Sequence, residues 1–335
     1  MSASQVAEMM RLVNGYQISQ SIHVAAALGI ADYLADGPRT IDDLASVTGA
    51  HAPTLYRLMR ALASVGVFLE NETRTFSLTE LGSCLQSNSP TPVAPWAIFV
   101  GRPYMWEAWA HLMHSVRTGE NAFRHVHGMS NFEYRLLRPD EQSIFDQAMS
   151  GGSRGLSSAI MQACDFSRFR TLVDVGGGEG ALLADILSAY PALRGILFDQ
   201  KSVIARSGPI LERGGLRDRC ELVGGSFFES IPRGGDAYIL KFILHDWDDA
   251  TCLDILTACR RAMSADAILL VLERLIGPPN EGADAKFADL NMLVEPGGQE
   301  RTAEEFGNLF GAAGFKLTRV VPTGTRINLI EGVLV

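Results

Sequence analysis

From Arg170 onward the chain alternates short apolar runs with amphipathic stretches, and that alternation constrains its fold more than any other feature. Thr171–Val175, Arg194–Phe198, Cys220–Val223, Asp236–Lys241 and Ala267–Glu273 read as strands. Gly180–Tyr190, Val203–Arg213, Ala250–Ala262 and Ala303–Ala313 read as helices among them. Strands alternating with helices imply a parallel, doubly wound sheet covered on both faces. Lys316–Val321 and Arg326–Leu334 then follow one another across the turn Pro322–Thr325. With no helix to cross over, one of these last strands must run antiparallel.

The first strand runs into Asp174-Val175-Gly176-Gly177-Gly178-Glu179-Gly180. Glycines there let backbone approach a ligand, and the following helix start favours a negative group. Asp199 ends the next strand, where a carboxylate accepts the hydroxyls of a ribose. Gly176, Gly178 and Ala181 satisfy the loose dinucleotide fingerprint, and the same run fits a site for S-adenosylmethionine. Two ligands therefore remain open at this turn, a nicotinamide dinucleotide and S-adenosylmethionine.

The fourth strand delivers Leu244-His245-Asp246-Trp247-Asp248-Asp249. A histidine just past a strand's carboxyl end faces the ligand crevice of an open α/β sheet, and imidazole takes a proton near neutral pH. The plainer reading is a histidine at a helix start, with Asp248 and Asp249 serving the helix terminus. Metal ligation by His245 with Asp246, Asp248 and Asp249 is a lesser reading, so no metal is expected. Glu273, at the fifth strand's end, and Glu300, in Pro296–Arg301, are carboxylates that can fix the tautomer of a histidine base. No serine elbow or reactive-cysteine context accompanies them.

The N-terminal part reads differently. Residues 4–35 carry apolar residues at helical spacing, Thr40 opens and Gly49 closes a short helix, and Pro53 begins another that ends at Gly66. Val67–Glu70 and Thr75–Leu78 follow as a hairpin, the order of a winged helix-turn-helix. Residues 1–90 hold five basic and eight acidic side chains, and Glu70 and Glu72 flank the wing. Neutralising phosphates dominates DNA affinity, so an acidic module suits dimerisation better than nucleic acid. The whole chain agrees, with 29 basic against 38 acidic residues and a net charge of −9. Trp96, Phe99, Tyr104, Trp106 and Trp109 cluster in the next segment, as core or as a wall for a flat organic substrate. Five cysteines without a CxxC pair argue for free thiols. No signal-peptide pattern or membrane-length apolar run is seen, so a cytoplasmic protein without a membrane partner is expected.

Taken in order, these segments resemble the class I small-molecule O-methyltransferases, which include plant caffeic acid and hydroxyindole enzymes and bacterial enzymes of antibiotic and pigment biosynthesis. The resemblance rests on Arg57–Leu62, Phe76–Gly82, Arg117–Glu120, Ala148–Ser150, Asp174–Gly180, Leu244–Asp249 and Gly297–Arg301. It implies a Rossmann-like seven-stranded methyltransferase sheet over 166–335, a winged-helix, mostly helical dimerisation domain over 1–95, and a helical linker and substrate lid over 96–165. It also implies S-adenosylmethionine as cofactor, an intertwined homodimer, and methyl transfer to a hydroxyl of a planar phenolic or polycyclic acceptor. His245 would be the general base, flanked by Glu273 and Glu300. Asp174, Gly176, Gly178, Asp199 and Lys241 would hold the cofactor, with Ser153 near its methionine carboxylate. Met149 and Met292 would clamp the acceptor's ring, with Trp106 and Asp246 also against the acceptor. One departure stands out: the family often reads glycine-aspartate-methionine after the third strand, and this chain reads Gly225-Ser226-Phe227. Ser226 offers a hydroxyl there and Phe227 a face for adenine. The same scaffold also hosts hydroxylation and decarboxylation. A nicotinamide-dependent dehydrogenase and a winged-helix DNA-binding regulator are the other readings.

Overall fold

The computed structural model describes residues 3–71 and 74–335, with all their side chains except those of residues 3, 152–154 and 213. The chain divides into two compact units, Met1–Trp106 with Arg138–Gly152, and Glu107–Leu137 with Ser153–Val335. The segment 96–165, expected as a helical linker and substrate lid, has residues in both units.

In the first unit, helices Gly15–Ala27, Ile41–Thr48 and Ala52–Ser64 enclose a core of Ile30, Leu44, Met59, Leu62, Phe68 and Phe76. Thr40 caps the second of these helices by accepting from the Asp43 amide at 3.2 Å, and Gly49 ends it in the left-handed conformation. Arg39–Thr40 (β1), Phe68–Glu70 (β2) and Thr75–Leu78 (β3) form an antiparallel sheet in the order β1-β3-β2. The expected hairpin therefore gains a third strand, too short to leave a sequence signal. Glu72, read as part of the wing, lies outside the described residues.

The second unit is built on Thr171–Val175 (β4), Arg194–Asp199 (β5), Cys220–Gly224 (β6), Ala237–Lys241 (β7), Ile268–Glu273 (β8), Phe315–Pro322 (β9) and Asn328–Leu334 (β10). Their order is β6-β5-β4-β7-β8-β10-β9. All neighbours pair in parallel except β10, which runs antiparallel to both β8 and β9. This is the sheet the sequence predicts, with the antiparallel strand inserted beside the last parallel one. One face packs Tyr238, Leu240, Leu269 and Val271 against helices Asp249–Ala262 and Ala303–Ala312. The other packs Leu172, Leu197, Ile239 and Leu270 against Ser157–Ala163 and Ala181–Ala189. Burial on both faces explains why these strands read as unbroken apolar runs.

Two helix expectations change. The helix read over Val203–Arg213 is two short ones, Lys201–Ile204 and Gly208–Arg213, because Pro209 has no amide to donate to the Ala205 carbonyl and suits the first turn of a new helix. Helix Ala283–Val294 was not expected, since its exposed Phe287 blurs the apolar stripe. Among the described residues no helix is long and apolar enough to cross a membrane.

Candidate active site

The glycine turn leaves β4 with three glycines in the left-handed region, Gly176, Gly178 and Gly180. At Gly176 a Cβ would sit 2.5 Å from Ile243 Cδ1, so an alanine there collides as well as strains. At Gly178 a Cβ would meet nothing within 4 Å, so the turn opens onto free space there. Asp199 ties the turn to β5. Its Oδ2 accepts from the Gly178 amide at 2.8 Å and its Oδ1 from the Gln200 amide at 2.6 Å. Asp174 is buried beneath, and its Oδ2 has no hydrogen-bond partner among the described residues. Burial raises its pKa to about 7, against the pull of Lys241 and with some help from Asp199. Lys241 is in turn lowered by burial and supported by Asp174 and Glu273.

Phe227 lies at the same turn, with Cε1 3.9 Å from where a Gly176 Cβ would be. It meets Trp247 edge-on at 6.2 Å. Ser226 is used locally, its hydroxyl accepting from the Phe228 amide at 3.3 Å. The side chain of Ser153 lies outside the described residues.

His245 sits on the 3-10 turn Leu244–Asp246 that follows β7. Its Nδ1 is 3.1 Å from Glu300 Oε1 and 3.4 Å from Glu273 Oε2. Its Nε2 is 3.6 Å from Asp246 Oδ1 and makes no hydrogen bond among the described residues. The two glutamates do different work. Glu273 Oε1 accepts from the amides of Ile243, Leu244 and His245, so that carboxylate caps the turn carrying the imidazole. Glu300 is the hydrogen-bonded partner of the ring and is also held by Arg274 Nη1 at 3.3 Å. Burial opposes charge on His245, but Glu273, Asp246 and Glu300 outweigh it and raise its pKa to about 9. Burial raises Glu273 to about 7 despite the nearby imidazole.

The plainer reading of Asp248 is also present, since it caps helix Asp249–Ala262 by accepting from the Thr251 amide at 2.8 Å. The acidic run following His245 is therefore partly a helix start. A group able to hold a metal ion is instead His245, Glu273 and Glu300, whose ligand atoms lie within 4.8 Å of one another. The atoms that approach most closely there already serve each other and the backbone.

Four residues of this site had no assigned role in the sequence. Arg301, 1% exposed, donates to the carbonyls of Leu244 at 3.0 Å and Trp247 at 2.9 Å, pinning the chain on both sides of His245. Arg274 holds Glu300. Phe242, with φ +56°, stacks its ring on the imidazole at 5.3 Å and 19°. Gly298 lets two segments touch, because a Cβ there would be 2.1 Å from the His245 carbonyl oxygen.

Met292 is buried on helix Ala283–Val294, which Trp109 grips through a 3.1 Å bond from Nε1 to Asn291 Oδ1. Asp246 stands beside the imidazole, its pKa raised by burial against the pull of His245 and Arg135. Met149 and Trp106 belong to the first unit, where Trp106 meets Tyr16 edge-on at 6.5 Å. In that aromatic cluster Phe99 and Tyr104 are buried core, whereas Trp96 is 42% exposed.

The residues at the glycine turn fit S-adenosylmethionine. A buried carboxylate oxygen without a partner, an open cradle above Gly178 and a second carboxylate on β5 suit a cationic ligand with ribose hydroxyls.

Comparison with known proteins agrees. Residues 109–316 match the model of the O-methyltransferase domain, and residues 10–88 that of the O-methyltransferase dimerisation domain. The chain belongs to this O-methyltransferase family and is an S-adenosylmethionine-dependent O-methyltransferase. It is 45% identical to phenazine O-methyltransferase PhzM of Lysobacter antibioticus, over 96% of this chain and 94% of that protein. The crystal structure of LaPhzM superposes with a TM-score of 0.94 at 44% identity, covering all of both chains. A neocarzinostatin-biosynthesis O-methyltransferase, solved with S-adenosylmethionine and 2-hydroxy-5-methyl naphthoic acid, gives a TM-score of 0.82 at 31% identity, covering 95% of this chain and 96% of that one. The family displaces the dehydrogenase reading.

Proposed function

We propose that this enzyme methylates a hydroxyl of a planar phenolic or polycyclic metabolite, with His245 as the general base. The observation that carries the reading is the division of labour at the imidazole. Nδ1 points at Glu300 at 3.1 Å, which fixes the tautomer and leaves Nε2 to receive a proton. Three carboxylates around the ring favour its charged form, which brings its proton affinity close to that of a phenolate. Asp246, beside Nε2, suits a second polar contact to the acceptor. When bound, S-adenosylmethionine supplies a methyl group already activated on a sulfonium. Asp199, Asp174, Lys241 and the Gly176–Gly178 backbone would hold it, with Phe227 against adenine and Ser153 toward the methionine end. The protein's remaining tasks are alignment and exclusion of water.

The acceptor class draws support from the naphthoic acid bound by the neocarzinostatin relative and the phenazine named for the Lysobacter enzyme. Met292, on helix Ala283–Val294, offers an apolar face for such a ring. We also infer a homodimer through the N-terminal unit. It has a dimerisation-domain match, and helix Ala3–Val13 exposes Val6, Met9, Met10 and Val13.

The test is product mass with hydroxylated aromatic acceptors. A gain of one methyl group that depends on S-adenosylmethionine is expected. Replacing His245 with alanine should keep cofactor binding and lower turnover roughly 10²–10⁴-fold. A different mass change, or full turnover in that variant, counts against the reading.

A further inference from the structure

The imidazole of His245 is tied at one edge, where Nδ1 meets Glu300 at 3.1 Å. That bond fixes a direction but leaves the ring free to tilt about it, and the tilt decides where Nε2 points. The contact on the ring's face comes from Phe242, which stacks on the imidazole with 5.3 Å between centroids and 19° between planes. Phe242 is itself half-buried against the core cluster that holds Leu270 and Leu272.

The backbone that presents this ring is strained. The Phe242 amide donates to the Leu272 carbonyl at 3.1 Å, so pairing with β8 runs one residue past β7. The chain then takes φ +56° at Phe242, in the left-handed region. The next three amides, of Ile243, Leu244 and His245, all turn to Glu273 Oε1. A glycine would make this turn without strain. Strained backbone at a bulky residue beside an active site points to a use for its side chain.

The charges around the two rings show what that use is. Three carboxylates face the imidazole: Glu273 from the end of β8, Glu300 from the turn ahead of helix Ala303–Ala312, and Asp246 from the imidazole's own turn. Three cations lie over the Phe242 ring. Lys241 Nζ is 5.0 Å from its centroid, Arg274 Cζ 5.5 Å and Arg326 Cζ 5.9 Å. Each has acidic company: Lys241 lies near Asp174 and Glu273, Arg274 meets Glu300 at 3.3 Å and Asp284 at 3.6 Å, and Arg326 has Asp284 nearby. Arg301, bonded to the Leu244 and Trp247 carbonyls, and Arg135, which draws on Asp246, complete the surroundings. Cations so placed oppose a base that must become cationic in every turnover. An aromatic face is negative and attracts cations within about 6 Å of its centroid, which an aliphatic side chain of the same bulk does not do.

We propose that Phe242 is a positioning residue for the base: its ring fixes the tilt of the His245 imidazole, and its face supports the imidazolium that forms in turnover. This rests on the general-base reading of His245 and adds the group that keeps that base aimed.

The experiment places 3,4,5-trifluorophenylalanine at position 242 of the full-length protein, which keeps the ring's shape and weakens its negative face. The protein, loaded with S-adenosylhomocysteine and labelled in its histidines, is titrated by NMR; the His245 signal is the one missing in His245→Ala. The His245 midpoint should fall by about half to one pH unit, and the limb of kcat/KM against pH should fall with it. Phe242→Leu also loses the bracing, so kcat should drop roughly ten-fold or more while KM for the acceptor stays within about three-fold. Phe242→Tyr, which restores the face, should recover most of that kcat and the native limb. Affinity for S-adenosylhomocysteine should stay as in the native protein. An unmoved midpoint in the fluorinated protein, a Phe242→Leu loss that falls on KM, no recovery in Phe242→Tyr, or a loss of S-adenosylhomocysteine affinity in its place would overturn the proposal. An unmoved midpoint with turnover still lost in His245→Ala removes the role of Phe242 and leaves the base assignment standing; full turnover in His245→Ala removes both.

Discussion

Replacing Glu300 with glutamine probes the site with little change of shape. Glutamine keeps an oxygen where Oε1 now lies 3.1 Å from His245 Nδ1, so the ring stays oriented and only the negative charge is lost. A hydrogen bond to a charged group contributes roughly 1.5–3 kcal/mol and a neutral one roughly 0.5–1.5, so the imidazolium loses about 1–1.5 kcal/mol of support. That lowers its pKa by roughly one pH unit. The native enzyme, with His245 at about 9, should show kcat/KM rising with pH up to about 9. In Glu300→Gln the rise should finish near pH ~8, with a plateau a few-fold lower because a weaker base removes the proton. The assay is kcat/KM against pH from 6 to 10, with cofactor saturating and an acceptor that does not itself ionise in that range. A limb that stays in place or moves to higher pH would refute the assignment of Glu300 as the charge on Nδ1.

Other outcomes follow from single contacts. Gly298→Ala should cost about 1–3 kcal/mol in thermal unfolding and most of the turnover, because the new Cβ would strike the His245 carbonyl at 2.1 Å; unchanged turnover would mean that the turn yields freely. Asp199→Asn should weaken S-adenosylmethionine binding in a calorimetric titration by roughly ten-fold, about one charged hydrogen bond, while the Gly178 link at 2.8 Å persists. Glu295 is buried with no hydrogen bond to either carboxylate oxygen among the described residues, and burial raises it to about 8 against the pull of Arg135. A carboxyl raised on folding stabilises below its ordinary value near 4.5, and that stability is lost as pH climbs through 8. Glu295→Gln should therefore raise the melting temperature at pH 8 more than at pH 5, and an equal shift at both would contradict this.

Much of the second unit was legible because both faces of its sheet are buried. Strands such as Leu172–Val175 and Leu269–Leu272 read as apolar runs, and the glycine turn and His245 announce themselves at strand ends. Glu273 and Glu300 were legible as carboxylates at the rim, but not their separate tasks. Which oxygen caps three amides and which faces Nδ1 depends on tertiary geometry. Arg301 lay inside a recognisable run, yet its grip on the Leu244 and Trp247 carbonyls spans more than fifty residues. Phe242 left no signal, since left-handed backbone at a phenylalanine is imposed by its surroundings and not by propensity.

The central claim is that His245 takes the acceptor's proton, and the pH dependence of kcat/KM in native enzyme and His245→Ala tests it most directly. The native rate should rise toward about pH 9. The variant, with cofactor affinity retained, should be slower by roughly 10²–10⁴-fold and lack that limb. A variant that keeps both the native rate and the native limb would contradict the account.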